Sequence, residues 1–310
     1  MRICFLVLVH NHVNHYQRLI SALAGPNSGI FVHLDARVES KPFQTSSADF
    51  GATYISNRVA VNWGGWSLVQ ASLNLMVAAE ESGERFDYYC LISGSDFPLR
   101  AIETISEYLA QNAPADYYNT VRIPSEVANK PIERIDRFHF DAGGATPGIL
   151  ARLMRRANAT IEKKQLRRNY ERSLGLTPCG GSQWWSLKRE TFTYVLDYVR
   201  ENPSISKFFR NVYVPDESFF QTILETSPFR GDQRRNLTFT DWSRPQPPYP
   251  AWMDSEHIER LIRNDAQISD VYGGGPALFA RKFPDDSEDM VLRIKSALWC
   301  HPGRVAGKIL

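Results

Sequence analysis

Three stretches of the chain group residue types that can do chemistry. In Val212-Tyr213-Val214-Pro215-Asp216-Glu217-Ser218-Phe219-Phe220 a proline and two acids precede an apolar run, the pattern of a helix start with carboxylates toward the positive end of the dipole. Glu217 reads there either as a first-turn acid or as a general base. A base placed to take the proton from an attacking hydroxyl contributes roughly 10²–10⁴-fold in rate. In Ala277-Leu278-Phe279-Ala280-Arg281-Lys282-Phe283 two adjacent cations interrupt an apolar segment. They read either as solvated charges or as a clamp on a pyrophosphate, arginine supplying a planar fork and lysine a point charge. The third stretch is aromatic: Trp63-Gly64-Gly65-Trp66 combines a close backbone approach with stacking faces. Trp184, Trp185 and Trp242 could stack on sugar rings, although tryptophan also serves as core.

The elements that must hold these groups alternate between strand and helix patterns. Ile3 to Val9, Ile30 to Leu34, Arg58 to Asn62 and Tyr88 to Ser93 read as strands; Tyr16 to Leu23, Ser67 to Ala79 and Arg189 to Val199 carry helical spacing. This order predicts an α/β fold with a mostly parallel central sheet flanked by helices. Ligands of such sheets bind beyond the carboxyl ends of the strands, and His10, Asp35 and Asp96 follow strand ends.

Bulk properties narrow the class. The 310 residues carry 36 basic and 34 acidic side chains, a net charge of +2 that does not fit a general nucleic-acid binder. Four cysteines without a CxxC pair read as reduced, buried thiols, not a zinc site. The apolar start ends at His10-Asn11-His12 with no small-residue cleavage site, so it reads as a first strand rather than a leader. No run approaches the roughly 20 apolar residues of a membrane span. The expected location is the cytoplasm, at the inner face of the membrane if the basic stretch from Ala151 to Arg172 meets lipid. That stretch holds eight basic residues and two acids; it reads as a solvated helix or as a surface for a polyanionic glycan, an anionic lipid carrier or the membrane.

Taken in order, these segments resemble one known family. Leu6-Val7-Leu8-Val9-His10, Val32-His33-Leu34-Asp35, Val61-Asn62-Trp63-Gly64-Gly65, Leu91-Ile92-Ser93-Gly94-Ser95-Asp96-Phe97-Pro98-Leu99, Gly181-Ser182-Gln183-Trp184, Pro215-Asp216-Glu217-Ser218-Phe219-Phe220, Asp241-Trp242 and Phe279-Ala280-Arg281-Lys282-Phe283 are similar to motifs of the branching β-1,6-N-acetylglucosaminyltransferases and peptide O-xylosyltransferases, glycosyltransferase family 14. The resemblance implies a GT-A-type fold in a single catalytic domain over 1–310. Its parts would be a nucleotide-binding half at 1–110, a variable basic region at 111–178, and an acceptor, catalytic and diphosphate-binding half at 179–310. It implies inverting transfer of GlcNAc or xylose from a UDP-sugar to a hydroxyl of a glycan or lipid-linked saccharide, with no metal and no cofactor.

Glu217 matches the catalytic base of that family, and Arg281 and Lys282 match its diphosphate-holding cations. His10, Asp35, Trp63 and Asp96 complete the expected donor site; Gln183, Trp184 and Trp242 form the expected acceptor site. Gln183 stands where the xylosyltransferases have an acid, and Arg244 is the candidate for a further arginine of the branching enzymes. Two other readings stay open. One is a metal-dependent transferase using the acidic stretch Asp285-Asp286-Ser287-Glu288-Asp289, which reads more simply as a cap or solvated loop; no Asp-x-Asp pair occurs. The other is a binding protein without activity.

Overall fold

Strand β1 (Ile3–Val9) is apolar at every position and buried throughout, as a parallel strand covered on both faces must be. Its side chains alternate between two cores. Cys4, Leu6 and Leu8 pack with Val69, Leu73 and Met76 of the helix Trp66–Glu81. Ile3, Phe5, Val7 and Val9 pack with Tyr16, Leu19, Ile20 and Leu23 of the helix Val13–Leu23. The period of two along the strand therefore meets a helical stripe on each side.

The computed structural model describes residues 1–144, 146–243 and 250–300. Around β1 lie β2 (Ser28–Leu34), β3 (Ala52–Tyr54), β4 (Tyr88–Ser93) and, further out, β6 (Asp116–Tyr118), with β5 (Asp96–Pro98) in a separate sheet. The seven-stranded sheet runs Gln233–Arg234, β6, Trp185–Lys188, β4, β1, β2, β3. β4, β1, β2 and β3 are mutually parallel, and Trp185–Lys188 is antiparallel to β4 and β6. The α/β fold with a mostly parallel central sheet expected from the sequence is the fold observed. Chain order moves outward from β1 to β3, then returns to β4 on the other side of β1. This reversal is the position where open α/β sheets bind ligands.

A second sheet of three strands, Thr238–Thr240, Phe279–Arg281 and β5, stands beside that position. Arg281 pairs in register with Asp96 across it.

Two expected elements differ. Arg58 to Asn62 forms no ladder among the described residues. Its backbone is tied over the end of β2 by side chains instead: Val59 N–H donates to His33 Nε2 at 3.0 Å and Val61 N–H to Asp35 Oδ2 at 3.0 Å. Arg58 donates to the carbonyls of Leu34, Asp35 and Val38. Asp96, read as part of a turn, opens β5. The basic stretch also divides, into the helix Gly148–Lys163 and the short helix Tyr170–Leu174.

Gly29 of β2 lies against Phe86, which is fully buried; a Cβ there would come within 2.3 Å of the ring. Gly29→Ala is expected to lower stability by roughly 1–3 kcal/mol, measured by urea unfolding. Adding Phe86→Leu should recover part of that loss, because the two changes share one space; strictly additive losses would contradict the contact.

Candidate active site

A cleft of about 950 Å³ opens over the carboxyl ends of β1, β2 and β4. Its size falls in the range of small-molecule sites, roughly 300–1,000 Å³. His10, Asp35, Trp63, Gln183, Trp184, Glu217, Trp242, Arg281 and Lys282 all line it. Residues some 270 positions apart in the chain thus share one cavity.

Asp35 follows β2 and is buried. Its Oδ1 accepts Arg37 N–H at 2.9 Å and Arg37 Nε–H at 3.0 Å; its Oδ2 accepts Arg37 Nη2 at 2.8 Å and Val61 N–H. Burial pushes this carboxyl up, but the bonds from Arg37 and Val61 outweigh it and hold the carboxyl down at about 2. Asp35 is ionised at any working pH. Its charge is already matched, and the cleft meets an Asp35–Arg37 pair rather than a bare anion.

Arg281 and Lys282 enter from the second sheet. The Arg281 guanidinium lies 4.2 Å from the centre of the Trp184 ring, and its Nε is 3.4 Å from Asp96 Oδ1. Asp96 is completely buried and is not among the residues lining the cleft. Expected to touch the donor, it instead sits beneath Arg281 and reaches the cleft only through that side chain. Burial pushes its carboxyl up to about 6, against the opposing pull of Arg281. Trp184 is likewise 7% exposed and serves as the floor under Arg281. The most exposed aromatic side chains lining the cleft are Trp63 and Trp242, 51% and 62% exposed. The Lys282 Nζ lies 4.4 Å from the centre of the Trp252 ring.

Glu217 lines the same cleft from a one-turn helix, Pro215–Glu217, that precedes the helix Phe219–Glu225. Val214 just before it has φ +53°, a conformation costly for a β-branched residue, roughly 1–3 kcal/mol. A hydrogen bond from Val214 N–H to the Gly64 carbonyl, 3.0 Å, helps fix it. Gly181 N–H donates to the Glu217 carbonyl at 2.8 Å. No side chain fits at Gly181: a Cβ would lie 1.8 Å from the Asn119 carbonyl oxygen. The glycines of the Gly180-Gly181-Ser182 and Trp63-Gly64-Gly65 stretches thus let two backbones close on the Glu217 turn.

The Glu217 carboxylate is clamped on one side. Lys130 Nζ at 2.5 Å and Arg134 Nη1 at 2.7 Å both donate to Oε2. Oε1 makes no hydrogen bond among the described residues, and the side chain is 23% exposed toward the cleft. Burial alone would push the carboxyl up; the charges of Lys130 and Arg134 more than reverse this and leave it below the ordinary glutamate value. Asp216 beside it is pushed up to about 7, by burial first and by the Glu217 charge second.

Asp285 does not line this cleft. Its Oδ1 accepts Asn14 N–H at 2.9 Å and His15 N–H at 3.0 Å, so it caps the helix Val13–Leu23, the simpler of its two readings. Arg244 lies outside the described residues. Lys130, Arg134 and Arg37 were not singled out from the sequence. Lys130 and Arg134 stand in a polar stretch without periodicity, and only the fold brings them to Glu217.

Fold and cleft together define an α/β ligand-binding protein whose site bridges parallel-strand ends and a second, smaller sheet. Comparison gives the family: the family model described as Core-2/I-Branching enzyme matches residues 3–262, and the chain belongs to that family. Its members are glycosyltransferases. Xylosyltransferase 2 from Rattus norvegicus is 26% identical over 313 residues, covering 95% of this chain and 33% of the relative. Xylosyltransferase oxt from Drosophila melanogaster is 26% identical over 259 residues, covering 79% and 27%, and xylosyltransferase 1 from Homo sapiens is 26% identical over 255 residues, covering 79% and 24%. The chain therefore spans about a third or less of the length of these relatives.

Removing the support under Arg281 gives a direct check on the buried pair. Asp96→Ala leaves a mostly buried guanidinium without its counter-charge and is expected to lower unfolding free energy by about 3–5 kcal/mol. A loss below about 1 kcal/mol, the range of surface pairs, would show that Asp96 does not hold Arg281.

Proposed function

We propose that this chain is an inverting, metal-independent glycosyltransferase that moves a sugar, xylose or GlcNAc, from a UDP-sugar to a hydroxyl of a glycan or lipid-linked saccharide. The observation that carries this reading is the asymmetry of Glu217: one carboxylate oxygen is fixed by two cations and the other is open to a cleft that Arg281 and Lys282 also line. Family membership and the xylosyltransferase relatives support the reaction class.

In this mechanism the acceptor hydroxyl donates to Glu217 Oε1. As its oxygen attacks the anomeric carbon, the proton passes to Glu217 and the bond from that carbon to the diphosphate breaks on the opposite face. An α-linked donor then yields a β-linked product. Charge growing on the departing diphosphate meets Arg281 and Lys282, held by the sheet before the reaction begins, so little reorganisation is needed. The Asp35 end of the cleft is assigned to the uridine and the exposed faces of Trp63 and Trp242 to sugar rings. The lowered pKa of Glu217 fits a base that stays ionised while awaiting the acceptor.

Glu217→Gln should fold normally and lose roughly 10²–10⁴-fold in kcat, measured as donor turnover; transfer near the wild-type rate would remove Glu217 from the role. Glu217 is active only when ionised, so activity is present above its pKa and falls as pH drops through it. Because Lys130 lowers that pKa, Lys130→Met should move the acidic limb of the kcat/KM profile to higher pH; an unmoved limb would mean that Glu217 does not set it. Transfer should persist in excess EDTA, and a loss restored by Mn²⁺ would overturn metal independence.

A further inference from the structure

The helix Gly148–Lys163 has one buried residue, Ala151. It is fastened to the body on its inner side: Asn158 accepts Phe140 N–H at 2.9 Å and donates to the Phe140 carbonyl at 2.8 Å. The outer side is unusual for a surface helix. Ile149, Leu150 and Leu153 are 77%, 45% and 55% exposed, and at spacings of three and four they form one patch. Arg152 and Arg156 lie beside the patch on the same helix and Lys163 lies further along it, all exposed. None of these three forms an ion pair among the described residues. The following cations differ: Arg167 pairs with Glu133 and Asp136, and the Arg168 guanidinium lies 3.7 Å from the centre of the Phe208 ring. The basic stretch thus separates into an outward part with aliphatic side chains and an inward part that is structural.

We infer that the outer face of this helix docks on an anionic lipid surface. Aliphatic side chains beside a row of unpaired cations match the two layers of such a surface, acyl chains beneath phosphate headgroups. A soluble polyanion would engage the cations but gives the three aliphatic side chains no partner. A second copy of the chain would bring the same cation row against itself, and like charges repel. The helix begins four residues after Gly144, which with Gly143 lines the cleft. Asp141 in the same loop accepts Asn62 Nδ2 at 2.9 Å. Docking by this face therefore sets the cleft rim beside the lipid surface. The inference does not rest on the proposed reaction, and its test uses no turnover.

The test is co-sedimentation of the full chain with vesicles of phosphatidylcholine alone and of phosphatidylcholine mixed with phosphatidylglycerol. Binding is expected for the mixed vesicles and to weaken with added salt. Substituting Ile149, Leu150 and Leu153 together by serine should weaken it by at least roughly tenfold. Arg152→Gln, Arg156→Gln and Lys163→Gln should each weaken it by about fivefold. All six side chains are exposed, so an unchanged melting temperature is expected and identifies the folded variants. Equal binding to both vesicle types, or no binding to either, overturns the inference. So does binding that survives the serine substitutions and is competed by heparin, which marks a soluble-polyanion site. A dimer seen by light scattering that those substitutions abolish overturns it in favour of self-association.

Discussion

A charge near the interior of a protein is costly unless an opposite charge or a set of hydrogen bonds stands beside it. The cleft observes this constraint at three of the charges that line it. Arg281 rests on Asp96 and the face of Trp184. Asp35 is enclosed by Arg37. Glu217 is held by Lys130 and Arg134. In every case the partner also sets direction, so the groups facing the cavity are fixed before a ligand arrives. Breaking one such pair leaves a stranded charge, which is why the supporting residues matter as much as the lining ones.

This layering explains what could be read from the sequence and what could not. β1, β2, β4 and the helices on either side were legible because apolar periodicity is a local signal, and residues at strand ends follow from it. Glu217, Arg281 and Lys282 were legible as unusual residue types in ordered motifs. Lys130 and Arg134 were not, since a cation in a polar loop looks alike whether solvated or paired with a carboxylate nearly ninety positions away. Asp96 was read as a contact although its place is one layer deeper. A motif gives residue type and neighbourhood, whereas depth below a surface depends on strand pairing, here the register that sets Arg281 opposite Asp96.

The proposed base and the proposed clamp come from separate supports. Glu217 depends on a left-handed Val214, a hydrogen bond from Gly181 and the close approach of Gly64; Arg281 depends on the three-stranded sheet. Because these supports differ, the proposed reaction can place its proton acceptor and its charge stabiliser on opposite sides of one sugar carbon without either disturbing the other. The xylosyltransferases of animals that this chain resembles are three or more times longer than the part it matches.

The cap on the helix Val13–Leu23 comes from Asp285, more than 260 positions later, and the strand that carries Arg281 finds its antiparallel partner in β5 only after the chain has passed the whole of the large sheet. During synthesis the first helix must wait, its leading amides uncovered, until Asp285 leaves the ribosome. Such distant pairings are slow to close. A ribosome stalled before Asp285 would hold a chain with its large sheet made and its cleft still open on one side, a form for chaperones rather than for substrate.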